Sequence, residues 1–306
     1  MLTRSHVESA QERILGRVRR TPVMRSSAAW LKLEFTQHSG SFKARGAFNR
    51  VLAAFESGEF DGGPGVVAAS GGNAGLAVAY AARTLEIPAT VYVPETAPAV
   101  KVAKLHELGA SVVQVGREYA EAYEAATKFA ADGGSLFVHP YDQADVVAGQ
   151  GTIALELEDQ VSDVDTIVVS VGGGGLMAGI AAAADAQIVA VEPMDCPTLH
   201  KALDAGEPVD VHVSGVAADS LGARRIGDIA FETARRKGVH SVLVPDNAIV
   251  EARRWLWREH RFVVEHGAAC AMAALLSGAY LPEEDERVAV VLCGANTDPS
   301  DLGRQQ

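Results

Sequence analysis

The sequence predicts an α/β protein built from two open, twisted parallel-sheet units that share one cleft. Three observations carry this expectation. Short β-branched runs bounded by Gly and Pro alternate with segments of helical period along most of the chain. Glycine clusters stand where several of those runs end. The composition favours small residues, with 30 Gly and only 6% aromatics, which suits helices lying close against sheets. A chain of 306 residues is long enough for one large domain or two of ordinary size.

The elements follow in order. Residues 6–18 have helical period and stop near Thr21–Pro22, and an extended stretch covers Leu31–Glu34. A helix is expected from Ser41 to Phe55, with Lys43 one turn inside it. GVVAAS (65–70) reads as a buried strand and 73–86 as a helix; ATVYVP (89–94) as a strand and 97–109 as a helix ending at Gly109. SVVQVG (111–116), a helix over 117–130 and SLFVH (135–139) continue the alternation. A helix over 144–160, TIVVSVG (166–172), a helix over 175–184 and QIVAVE (187–192) extend it. Residues 224–237 and 247–259 read as charged amphipathic helices, 268–277 as an apolar helix, and RVAVVLCG (287–294) as a late buried strand.

Charge and cysteine content exclude several functions. A net charge of −12 argues against nucleic acid and anionic membranes as partners. It leaves room for a small anion held by backbone N–H groups. Cys196, Cys270 and Cys293 match no zinc spacing and form no complete disulfide set, so a reducing, cytoplasmic home is expected. The first twenty residues are charged without an apolar core, and no signal peptide is read there. The uncharged stretch from Thr166 to Ala184 contains four consecutive glycines and reads as strand, turn and helix rather than a membrane span.

Four segments bear chemistry. In GSFKARG (40–46), Lys43 follows Gly40 and Ser41 with apolar neighbours Phe42 and Ala44. A Schiff-base lysine must be desolvated to lose its proton, although a lone lysine near a helix start reads more readily as a surface residue. ASGGNAGLA (69–77) ends a strand at Ser70 and turns on a glycine pair into a helix near Asn73, a cradle for a carboxylate or a plain tight loop. VGGGGLMAGIA (171–181) places four glycines between strand and helix, as close backbone approach to a phosphate requires. It has neither dinucleotide-binding spacing nor a Walker lysine. VVLCGANTD (290–298) brings Cys293 to a strand end, as apolar filler or as a thiol facing a cofactor.

KLEFTQHSGSFKARGA (32–47), ASGGNAGLAVAYAA (69–82), HPYDQADVVAGQGTIALEL (139–157), SVGGGGLMAGI (170–180) and VLCGANTD (291–298) occur in that order. Together they resemble the serine/threonine dehydratases among the fold-type II (tryptophan synthase β-like) enzymes that use pyridoxal 5′-phosphate (PLP). The resemblance runs through nearly the whole chain. It implies a large PLP-binding domain from residues 1–45 and 142–306, a small domain from 46–141, and the cofactor between them. It implies that Lys43 holds PLP and moves the Cα proton, and that Ser70 shares the catalytic work. Phe42 would lie against the ring and Asn73 would bond its 3′-hydroxyl. Gly172, Gly173, Gly174 and Gly175 would hold the phosphate. Ser70, Gly71 and Ala74 would bind the substrate carboxylate, and Cys293 would face the ring nitrogen as a neutral thiol.

The implied reaction is β-elimination of L-serine or L-threonine to pyruvate or 2-oxobutanoate with ammonia, in a cytoplasmic homodimer. Serine racemases of the family carry a second serine where this chain has Gly71. Racemisation needs acid–base groups on both faces of Cα, so elimination is expected. A serine racemase or a 3-hydroxyaspartate dehydratase of the same fold is the alternative, and a silent PLP-binding protein the remote one. Relatives hold a monovalent or divalent cation in the large domain. Val216–Asp219 and Ala190–Glu192 are the places left for one here, and Asp219 reads better as surface or structural. His266 stands where relatives often have Pro.

Overall fold

The computed structural model describes residues 1–302. Helix α1 (Arg4–Ile14) precedes a short antiparallel pair, β1 (Val23–Arg25) and β2 (Trp30–Lys32). Then α2 (Lys43–Ser57) opens the alternation β3 (Val66–Ala69), α3 (Asn73–Thr84), β4 (Ala89–Val93), α4 (Ala99–Glu107), β5 (Ser111–Gln114), α5 (Tyr119–Gly133) and β6 (Leu136–Phe137). It continues through α6 (Ala144–Gln160), β7 (Thr166–Ser170), α7 (Gly175–Ala183), β8 (Gln187–Pro193), α8 (Thr198–Ala205), α9 (Ala218–Leu221), α10 (Asp228–Lys237) and β9 (His240–Val244). The last elements are α11 (Asp246–His260), α12 (His266–Leu276) and β10 (Val288–Val291).

Two sheets form, with orders β5-β4-β3-β6 and β1-β2-β10-β7-β8-β9. Every pairing except β1 with β2 is parallel. The final strand is inserted into the middle of the larger sheet, with Val290 opposite both Leu31 of β2 and Val168 of β7. Its central place explains its four buried residues in unbroken apolar sequence, since helices cover both faces of a parallel sheet. The same insertion brings the C-terminal ends of β2, β10 and β7 side by side.

Buried helices position these strands. Every residue of α7 is buried, and Gly179 lies so close to α6 that an added Cβ would stand 2.3 Å from the Val147 carbonyl. Only glycine permits backbones to approach that closely. α12 is also almost wholly buried, packed between the large sheet and α11. The Thr166–Ala184 stretch is therefore a buried strand, turn and helix, and among the described residues no helix is long and apolar enough to cross a membrane.

Several boundaries differ from the sequence expectation. α1 ends at Ile14 instead of residue 18, because Gly16 turns the chain at φ +74. Lys43 is the first residue of α2, not one turn inside it. The preceding chain is tied elsewhere: Ser41 bridges to Gly294, and Phe42 N–H donates to the Cys293 carbonyl at 3.0 Å. β10 stops at Val291, so Cys293 lies just beyond the strand. Strands β1 and β9 and helices α8 and α9 have no counterpart in the expectation. For β9 the signal was present: VHSVLVP is β-rich and bounded by Gly238 and Pro245.

A buried ionic cluster fixes the start of α2. Arg45 donates to both oxygens of Glu34 at 2.7 and 2.9 Å, and to both oxygens of Glu156 on α6 at 2.7 and 2.9 Å. Lys32 donates to Glu156 at 2.6 Å, to the Thr21 carbonyl at 2.9 Å and to Gln160 at 2.8 Å. Thr152 and Thr21 complete the set. Burial works against the charge on Glu156, but Arg45 and Lys32 outweigh it and hold the pKa below the usual carboxylate range. Two basic groups thus face two carboxyl groups, and burial lowers the Lys32 pKa although Glu156 and Glu34 oppose it. Removing one member leaves a buried charge unpaired, which typically costs about 3–5 kcal/mol. Glu156→Gln should therefore lower the urea-unfolding free energy by roughly that amount; a loss under about 1 kcal/mol would mean that the cluster is not stabilised as described.

Candidate active site

Lys43 projects from the first turn of α2 toward the loop between β6 and α6. Its Nζ donates to the Pro140 carbonyl at 2.5 Å and lies 5.0 Å from the Phe42 ring centre. That loop is held in shape by His139, whose Nδ1 accepts from the N–H groups of Tyr141 at 3.2 Å and Asp142 at 2.8 Å. Burial pushes the His139 pKa down to about 4, so the ring stays neutral and keeps accepting. Part of the Lys43 side chain is exposed, but its surroundings are dense, and desolvation lowers its pKa to about 8. Cys293 and Glu265 lie near enough to oppose that shift if charged. Burial pushes the Cys293 thiol well above its ordinary range, so it is neutral at physiological pH. Glu265 is thus the carboxyl group that bears on Lys43.

The turn after β3 supplies the second part. Ser70 Oγ accepts from the Gly72 N–H at 3.2 Å, and α3 starts at Asn73 with Ala74 next. Gly71, Gly72, Asn73 and Leu76 line a pocket together with Lys101, Lys104, Asp219, Ser220, Glu265 and Asn296. Lys101 of α4 pairs with Asp219 of α9, so an ion pair joins the two sheet units beside this pocket.

The glycine loop is a bare backbone cradle. Gly174 adopts φ +87 and α7 begins at Gly175. A Cβ on Gly173 would stand 2.3 Å from the Tyr141 ring, and one on Gly175 would stand 2.5 Å from the Tyr141 carbonyl. Gly172 is pressed against Leu221, where a Cβ would come within 2.9 Å of its Cα. Side chains are excluded on every side, and the N-terminus of a nine-residue helix leaves N–H groups free to meet an anion. The cradle fits a phosphate group.

Two residues that sequence reasoning passed over complete the site. Asn73 Nδ2 donates to Glu265 at 2.8 and 3.1 Å, and Asn296 Nδ2 donates to Asn73 Oδ1 at 2.7 Å. Glu265 is buried, and desolvation raises its pKa to about 7 although Asn73 opposes the shift. Glu265 directly precedes the His266 that sequence reading noticed, and Asn296 lay inside the CGANTD segment; neither carried a signal without its neighbours. His266 is the first residue of α12, a position whose N–H needs no helical partner, so histidine and proline are both acceptable there.

Of the side chains considered for a cation, Glu192 has other partners. Glu192 accepts from the N–H groups of Leu199 at 2.7 Å and His200 at 2.8 Å and from Thr198 Oγ1 at 3.0 Å, which caps α8. Among the described residues no three His, Cys, Asp or Glu side chains converge as metal ligands.

Lys43, the Ser70–Ala74 turn, the glycine cradle and Cys293 thus come together at the ends of β2, β3, β7 and β10. A family model described as pyridoxal-phosphate dependent enzyme matches residues 14–294. The chain belongs to that family. It is 35% identical to the L-threonine ammonia-lyase of Thermotoga maritima, over 99% of this chain and 78% of that protein. The solved structure of maize serine racemase superposes with a TM-score of 0.92 at 30% identity, covering 98% of this chain and 95% of its own. A solved threonine deaminase from T.th. gives 0.89 at 32% identity, over 97% of this chain and 99% of its own. PLP is accordingly the cofactor, and the fold is that of the fold-type II enzymes.

Within this family member, the neutral amine of Lys43 should grow as pH rises through about 8. Trace labelling of the cofactor-free protein with acetic anhydride, read by peptide mass, should show Lys43 reactivity with a midpoint near that value. A midpoint near ~10.4, the value of a free lysine, would show that the side chain is solvated.

Proposed function

We propose that this protein catalyses β-elimination of water from L-serine or L-threonine, giving pyruvate or 2-oxobutanoate and ammonia. The observation that carries the reading is a desolvated lysine, Lys43, beside an anion cradle and a turn whose Gly71 bears no side chain. When bound, PLP supplies the electron sink that makes the Cα proton removable. Lys43 would hold the cofactor and take that proton. Gly172, Gly173, Gly174 and Gly175 with the start of α7 would hold the cofactor phosphate. Phe42 would lie against the ring, and Asn73 would donate to its 3′-oxygen. Cys293 would face the ring nitrogen as a neutral thiol. Ser70, Gly71 and Ala74 would receive the substrate carboxylate, and Ser70 would share the catalytic work. The β-hydroxyl leaves as water, and the unsaturated amine takes up water to yield keto acid and ammonia.

The names of the relatives support this reading, since they include L-threonine ammonia-lyases and a fungal L-serine ammonia-lyase. They also include serine racemases. The missing second serine favours elimination. The same reading takes residues 1–45 and 142–306 as the large unit and 46–141 as the small one. It places the protein in the cytoplasm as a homodimer, and the three free buried cysteines support a reducing compartment.

A keto-acid assay over L- and D-serine, L- and D-threonine and 3-hydroxyaspartate tests the proposal. L-Serine or L-threonine should yield keto acid and ammonia with little D-isomer; fast D-serine formation without keto acid would establish a racemase instead. A second test is Gly71→Ser. A Cβ at Gly71 would meet only Val93 Cγ1, at 3.4 Å, so the serine fits with little adjustment. The substitution should raise the racemase-to-dehydratase ratio, and an unchanged ratio would show that a second-face base is not what separates the two reactions.

A further inference from the structure

Asn73 has an amide whose two ends look alike in shape but differ in chemistry, and its proposed duty toward the cofactor depends on which end faces the pocket. Its surroundings decide this. The Ser39 carbonyl is a backbone oxygen and can only accept. Asn296 lies 2.8 Å from it through Nδ2, so that nitrogen is the donor and the orientation of Asn296 is settled. The same Nδ2 lies 2.7 Å from the Asn73 oxygen. With one hydrogen on each acceptor, both donors of Asn296 are used. Asn73 therefore presents its oxygen to Asn296 and its NH2 group to the pocket. At the far end Nδ2 donates to Glu265, which takes one hydrogen between its two oxygens. One Asn73 hydrogen is left over.

The chain is also built to stay put. Ser39 adopts φ +62 and Gly40 φ +77, conformations that turn the Ser39 carbonyl back toward the loop after β10. A Cβ on Gly40 would strike Asn296 Oδ1 at 2.8 Å, and one on Gly294 would strike Glu265 Oε1 at 2.5 Å. The Ala295 N–H donates to the Gly40 carbonyl, and the Glu265 N–H donates to the Gly294 carbonyl, at 2.9 and 3.0 Å. Three segments that are distant in sequence are locked around one asparagine amide.

We propose that Asn296 and Glu265 are positioning residues that polarise Asn73, so that its remaining N–H is aimed as a donor at the 3′-oxygen of PLP. This rests on the reading of Asn73 given above. A donor there stabilises the ionised oxygen and so influences both cofactor affinity and the protonation of the bound chromophore. Glu265 needs only to accept, so a glutamine serves in its place. Asn296 must donate twice, so an aspartate does not.

The experiment follows PLP uptake by the cofactor-free protein, with the absorption band of the bound cofactor and its pH midpoint, in Asn73→Ala, Asn296→Ala, Asn296→Asp, Glu265→Gln and Glu265→Ala. The alanine variants and Asn296→Asp should bind PLP about tenfold more weakly, the scale of one lost hydrogen bond, and should shift the pH midpoint of the band. Glu265→Gln should stay near the parent in both. A lowered melting temperature with an unmoved midpoint in the Asn296 and Glu265 variants would mark both residues as merely structural and overturn the proposal. A shift in Asn73→Ala together with parental behaviour in Asn296→Asp, Asn296→Ala and Glu265→Ala would overturn it too, while leaving the role of Asn73 intact. Parental behaviour in Asn73→Ala would remove both. Should Asn296→Asp fail to fold, Asn296→Ala and the Glu265 pair decide the matter.

Discussion

The buried contact between Arg45 and the two carboxylates of Glu34 and Glu156 is the constraint on which the rest of the structure depends. With Lys32 it ties the end of β2, the first turn of α2 and α6 into one buried cluster. Lys43 lies two residues before Arg45, on the same turn. A guanidinium gripped by two bidentate partners has almost no freedom, and that rigidity is inherited by the lysine. The free energy of such a cluster is easily lost by breaking it and is only modestly favourable when intact. Its value here lies in placement: α2 has one angle and one register relative to the large sheet.

Placement matters because the site has no single owner in the sequence. Lys43 follows β2, the Ser70–Ala74 turn follows β3, the glycine cradle follows β7, and Cys293 follows β10. The large sheet brings three of these ends together by inserting its last strand between β2 and β7. The small sheet delivers the fourth, and the Lys101–Asp219 pair joins the two units beside the pocket. Desolvation then acts on whatever has been gathered. It lowers Lys43, raises Glu265 and raises Cys293, so one physical cause moves all three groups toward their uncharged forms.

Much of this was legible in the chain. The β-branched runs and glycine turns named both sheets and the order of most helices, because burial on both faces of a parallel strand leaves a continuous apolar signature. The glycine cradle was legible for a similar reason: four adjacent glycines are justified only by close backbone approach. The beginning of α2 was not legible. GSFKARG has nothing to forbid one more helical turn, and only the competing bonds of Ser41 and Phe42 to the end of β10 stop it. Strand β9 carries its signal in its own residues, yet it is a short edge strand between two charged helices whose longer period dominates that stretch of the chain.

By itself the sequence determined the α/β class, the candidate lysine, the cradle and the absence of a side chain at Gly71, because each of these is a property of residue type or of local period. Only the tertiary structure decided the ionic cluster around Arg45, the desolvation of Lys43 and the contacts that Glu265 and Asn296 make with Asn73. Those depend on burial and on partners far away along the chain: Glu265 meets Asn73, and Asn296 meets both Asn73 and Ser39. A local pattern records which groups are present, whereas desolvation and hydrogen-bond polarity depend on which groups are brought together, and that is a consequence of the fold.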